Sequence, residues 1–205
     1  SIWAETHRGW VLYRTTPWFS RFFVTRALFL SVGLATPFYA INAASEYQNV
    51  NHSLSLFVLA AGVANIISRP IWGPLLSRNP CRVLVWSGIL AAVAGIVAIM
   101  NSVSDDLPNL AMYMLVFALL ELAVQGMTQS SRTYLALMAP AHNRPLFLAI
   151  NNAMLGILAI VISGLIGVIA HSTHIFWSHS LLIAFALLAS ASAVNLKPPL
   201  IRSDG

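Results

Sequence analysis

Residues 109–138 read NLAMYMLVFALLELAVQGMTQSSRTYLALM. The stretch is long enough to cross a bilayer, for which about 20 apolar residues suffice. It nevertheless carries Glu121, Gln125, Thr128, Gln129 and Arg132, spaced so that all five fall on one stripe of a helix. Glu121 is the one acid deep in an apolar run. Counted from an outer end near Leu110 at about 1.5 Å per residue, it sits roughly 16 Å down, close to the midplane of a ~30 Å hydrocarbon core. An acid there costs about 2.5 to 3.5 kcal/mol even on the lenient insertion scale, so it should face protein or water. Two roles fit: a protonatable coupling site or substrate-binding carboxylate, or a structural glutamate hydrogen-bonded between helices.

The rest of the chain confirms what this stretch implies about class. Of 205 residues, 58% are hydrophobic and 8% charged, where soluble domains carry about 25% charged residues. A water-soluble globular fold is excluded. Further apolar runs at 21–45, 53–77, 82–101, 145–171 and 175–196 bring the spans to six, which predicts an all-α polytopic bundle. The connections at 46–52, 101–108 and 171–174 hold no Lys or Arg, whereas the alternate ones hold Arg78, Arg82 and Arg144. All eleven basic residues then lie on one side, and the positive-inside rule makes both termini cytoplasmic. Trp18, Trp72, Trp86 and Trp177 lie near span ends, where amphipathic rings suit the interface.

This divides the chain into a cytoplasmic segment at 1–20, a membrane bundle at 21–196 and a cytoplasmic tail at 197–205. The first segment interleaves Trp3, Trp10, Leu12 and Tyr13 with His7, Arg8 and Arg14 and breaks at Pro17; it reads either as a surface-lying element or as an aromatic-bearing tail. No basic-then-apolar leader with a cleavage site follows Ser1, so no signal peptide is apparent, which leaves room for an upstream portion. The isoelectric point near 10.0 reflects singly spread cations rather than a patch, which argues against nucleic acid. A single Cys, Cys81, excludes a disulfide framework or thiolate cage.

Other spans differ in polarity. The first places Thr36, Tyr39 and Asn42 on one face, with Pro37 as an expected kink. The fifth opens with Asn151 and Asn152, which either line a cytoplasmic vestibule or bond a neighbouring helix, and its Ser163 and Gly167 form a small-residue packing pair. The third, Val83–Met100, holds only Ser87, and the sixth, Leu181–Val194, only Ser190 and Ser192, so both are expected to face lipid. Every His lies near a span end, which leaves no pair to ligate a haem, and His171 with His174 makes at most half a metal site. A Gly-x-Ser-Gly loop with a deep His, as an intramembrane serine protease needs, is absent, as are Gly-rich phosphate loops. Asn51-His52-Ser53 matches a glycosylation acceptor by chance. No cofactor, metal or enzymatic activity is expected.

The turn Gly73-Pro-Leu-Leu-Ser-Arg78-Asn-Pro-Cys-Arg82 resembles the Gly-x-x-x-Asp-Arg-x-Gly-Arg loop of the major facilitator superfamily, with Ser77 for the Asp and Pro80 for the Gly. The turn Pro140-Ala-His-Asn-Arg144-Pro145 and the following glycine-bearing helix are similar too. The resemblance covers about residues 18–197 and is to the C-terminal half. It implies one 3+3 inverted-repeat half in a bacterial inner (plasma) membrane, whose first and fourth helices line a central cavity. The expected function is the C-terminal half of a secondary transporter moving a small solute by alternating access, with proton coupling through Glu121. Its expected partners are the lipid bilayer, the solute and an N-terminal six-helix half. The competing expectation is a non-transporting membrane subunit that scaffolds a larger complex, its polar stripe serving as interhelical glue.

Overall fold

A computed structural model describes residues 11, 15–46, 53–103, 109–172 and 175–199. They form six helices: α1 (Pro17–Glu46), α2 (Ser53–Arg78), α3 (Pro80–Val103), α4 (Leu110–Met138), α5 (Arg144–Ser172) and α6 (Ile175–Val194), with a 3₁₀ turn at Ala141–Asn143 before α5. Five are long and apolar enough to cross a membrane, and α6 contributes a shorter apolar helix over His179–Val194. The expected all-α bundle is the observed one, with six helices, five of them of spanning length, whose ends lie close to those read from the sequence. Most of the segment at 1–20 lies outside the described residues.

Local chemistry sets the breaks. Pro80 opens α3, where its missing N–H costs nothing, and Asn79 Oδ1 accepts the N–H groups of Cys81 and Arg82 at 2.9 and 3.3 Å. Asn109 caps α4 by accepting from Ala111 and Met112. Its own N–H donates to Asn101 Oδ1 at 3.1 Å, which ties the end of α3 to the start of α4.

The helices pair in a pattern that repeats. α4 packs on α3 and α2, while α1 packs on α6 and α5, and α3 meets α6 in the middle. Exchanging α1–α3 for α4–α6 reproduces these pairings, as expected of two three-helix units.

α3 departs from the expectation that it faces lipid. Half of its spanning window is buried, against 17% for α2. From Ser87 to Ala98 its buried face is made of Ser87, Gly88, Ala91, Ala92, Ala94, Gly95 and Ala98, residues small enough to let backbones approach. Only its opposite face, with Trp86, Val93, Ile96 and Met100, is exposed. α6 answers in kind: Ser190 Oγ donates to the Val85 carbonyl at 2.9 Å, and Ser192 Oγ shares a 2.8 Å hydrogen bond with Thr25 Oγ1 of α1. A lack of polar side chains therefore marks close packing here. Trp72 departs as well: it is buried at 4% exposure rather than seated at the interface.

Candidate functional site

The α2–α4 contact is layered along the helix axes. At one level Phe57 stacks on Phe117, with centroids 5.1 Å apart and planes 9° apart, and Tyr113 lies 5.6 Å from Phe57. Next comes a polar layer. Glu121 Oε1 accepts from Asn65 Nδ2 of α2 at 2.7 Å and from Gln125 Nε2, one turn along α4, at 2.8 Å. Ser68 Oγ donates to the Asn65 carbonyl at 2.6 Å. Beyond it, the Trp72 indole N–H donates to the Leu122 carbonyl at 3.0 Å.

Gly126 makes this layer possible. A Cβ on it would fall 2.8 Å from Trp72 Cε2 and would also meet the Ser87 hydroxyl, so only glycine lets α4 pass between α2 and α3.

Both of these donors are neutral amides and both reach Oε1, so that oxygen is held without a cation. Arg132, eleven residues further along α4, is about 16 Å away at the helical rise. The stripe read from the sequence thus separates into two parts. Thr128 and Gln129 are half-buried between them, and Arg132 is exposed. Arg26 of α1 lies within electrostatic reach of Arg132, a like charge. Arg26 Nε is buried with no hydrogen-bond partner among the described residues. Arg26 follows Phe22 by one turn, and Phe22 of α1 stacks on Tyr134 of α4, two residues beyond Arg132, with centroids 5.0 Å apart.

The remaining candidates do not join Glu121. Tyr39 is fully buried, its ring edge-on to His179 of α6 at 4.8 Å, beside Gly95 of α3. Thr36 is half-buried, and the Asn42 side chain lies outside the described residues. Asn151 is buried with its Oδ1 unpartnered among the described residues, while Asn152 is exposed. Asn151 follows by one turn Phe147, which packs edge-on against Phe19 of α1 at 5.0 Å. Among the described residues no three His, Cys, Asp or Glu side chains gather where a metal could sit.

Sequence reasoning missed Asn65, which holds the carboxylate, and Arg26, which it counted only as a cytoplasmic-side charge. The signal for Asn65 was present: it is a lone amide in the apolar run Leu59-Ala-Ala-Gly-Val-Ala-Asn65-Ile-Ile67. Such a residue needs a partner in a bilayer for the same reason that Glu121 does.

Comparison with known proteins gives a family. The model described as "Major Facilitator Superfamily" matches residues 21–204. Uncharacterized proteins of Mycobacterium bovis and Mycobacterium tuberculosis are 22% identical over 188 residues, which is 91% of this chain. The chain spans 36% of the length of these relatives. No solved structure matches.

Proposed function

The chain belongs to the major facilitator superfamily, and from that premise we propose that it forms the C-terminal half of a secondary transporter, moving a small solute by alternating access with Glu121 as its proton-coupling group. The family makes it an integral membrane protein of transporter type. The finer reading rests on one observation: the only acid within the described spans is held by two neutral amides, Asn65 and Gln125, on two helices. Protonation of Glu121 at Oε2 would cancel its charge and leave Oε1 a neutral carbonyl acceptor, and this would weaken the hold of both amides at once. A carboxyl that links two helices through its ionised form is suited to couple proton binding to helix movement. An N-terminal half would supply the opposite wall of the cavity. The bacterial inner membrane, with both chain ends on its cytoplasmic face, is the setting we infer.

Two measurements test this. The full-length protein is reconstituted in proteoliposomes loaded with the pH dye pyranine and exposed to a panel of sugars, amino acids, organic acids and cationic dyes. At least one solute should drive proton influx in the wild type and none in Glu121→Gln, which should still exchange that solute across the membrane. Proton influx undiminished in a folded Glu121→Gln protein removes Glu121 from coupling. For orientation, single cysteines at Asn49 and Ser104 in a Cys81→Ser background should react with an impermeant reagent from outside intact cells. One at Asn143 should not, and labelling there would invert the topology.

A further inference from the structure

The α2–α3 turn closes one end of the bundle with charge. Two adjoining cavities of about 540 and 410 Å³ open there and share Asn79, Arg82 and Trp86. The larger runs between α3 and α6 along Val85, Ile89 and Val194, and the smaller adds Arg78. Two further cavities at this end, of about 360 and 290 Å³, are lined by Arg21 with Lys197 and by Arg21 with Asn195. Among the described residues no acid lines any of the four. The acids nearest in sequence to Arg78 and Arg82 on either side are Glu46 and Asp105, beyond the far ends of α2 and α3.

The groove is built rather than incidental. Asn79 Oδ1 fixes the first turn of α3. Cys81 Sγ donates to the Lys197 carbonyl at 3.9 Å, which joins the start of α3 to the chain leaving α6 and floors the larger cavity. Its walls continue into the outward face of the bundle, where Trp86 is 53% and Val194 67% exposed. A half-exposed indole beside two arginines is the side-chain set found at headgroup depth.

We propose that this groove binds one anionic phospholipid of the surrounding leaflet, its phosphate on Arg78 and Arg82 and an acyl chain along Val85, Ile89 and Val194. Charge complementarity selects the headgroup, since two guanidinium groups with no acid beside them among the described residues match a phosphate diester. The apolar wall selects a lipid over a soluble anion, which would gain nothing from it. The site lies outside the Glu121 layer and does not depend on the transport reading.

The test uses the full-length protein in nanodiscs of equimolar phosphatidylglycerol and phosphatidylcholine, with retained lipids counted by native mass spectrometry. The wild type should retain phosphatidylglycerol preferentially. Arg78→Gln and Arg82→Gln should each lower that preference about fivefold, while Arg82→Lys keeps most of it and Arg144→Gln leaves it unchanged. Val194→Trp, which fills the groove with both arginines intact, should also abolish retention, and millimolar glycerol phosphate should not compete. Thermal unfolding checks that each variant is folded. Equal retention of the two lipids by the wild type overturns the proposal. So does a preference that survives the double Gln variant, or full competition by glycerol phosphate.

Discussion

α2 and α3 are adjacent, similar in length and both apolar, yet they meet their surroundings in opposite ways. α3 buries half its spanning window on a face of glycine, alanine and serine against α4 and α6. α2 buries a narrow line, Phe57, Ala64, Ser68 and Trp72, with Asn65 half-buried beside it, all toward α4. The rest of α2 is left exposed, Val58 at 72% and Ile66 at 74%. In a bilayer, hydrophobicity earns a helix its place but does not choose its neighbours, because lipid is as apolar as leucine. Small residues decide where helices come together closely, and rare polar ones decide which faces meet. α3 shows the first rule and α2 the second. The family's inverted-repeat logic gives α5 the same standing as α2, and Ile157 at 64% and Ile160 at 76% exposed agree. We read these uncovered faces as ones that lipid or an opposing half would cover.

The largest effect that could break this contrast is at the glycines. Gly126 lies where α2, α3 and α4 crowd together, whereas a Cβ on Gly62 of α2 would meet nothing within 4 Å. Gly126→Val should destabilise the detergent-solubilised protein by about 1–3 kcal/mol through overpacking. Gly62→Val should stay within about 0.5 kcal/mol. Equal losses in thermal unfolding would mean that α2 is packed as tightly as α3, and the distinction would fall.

The next effect sharpens the polar side of the comparison. Asn65→Ala removes one of two donors to Glu121, and interhelical hydrogen bonds in membrane proteins average about 0.6 kcal/mol, with a maximum near 1.7. The expected loss in unfolding free energy is therefore about 1 kcal/mol, and in a Glu121→Gln background Asn65→Ala should cost measurably less or more than it does alone. Additive losses in that double-mutant cycle would show that the Asn65–Glu121 contact carries no coupling.

How much of this was readable beforehand follows the same division. The span limits were legible because the bilayer demands long apolar runs and the turns are punctuated by Asn79-Pro80, Pro108-Asn109 and Pro140. Glu121 was legible because its cost is intrinsic to its position, and Gln125 because one helical turn separates it from Glu121. Asn65 was not tied to Glu121, since 56 residues lie between them and no local rule says which faces of two distant helices meet. The expectation that α3 and α6 face lipid described only their exposed sides and missed the packed ones, because alanine and glycine count as apolar yet act by size. Tyr39 was placed on one face with Thr36 and Asn42 by spacing alone, and its ring packs on His179 of α6.

The smallest effect separates the two tryptophans that the sequence treated alike. Trp72→Phe keeps a large buried ring but deletes the N–H that reaches the Leu122 carbonyl. That carbonyl also accepts from its own helix and has a second lone pair, so the substitution leaves no orphaned acceptor. The loss should fall near the low end of the membrane range, about 0.6 kcal/mol. Trp86→Phe, at a residue 53% exposed, removes no contact of this kind and should leave unfolding unchanged within error. Its effect should instead register as weaker retention of phosphatidylglycerol in the groove that Trp86 lines. A stability loss for Trp86→Phe equal to that of Trp72→Phe would show that both rings act as interface anchors and that burial does not distinguish them.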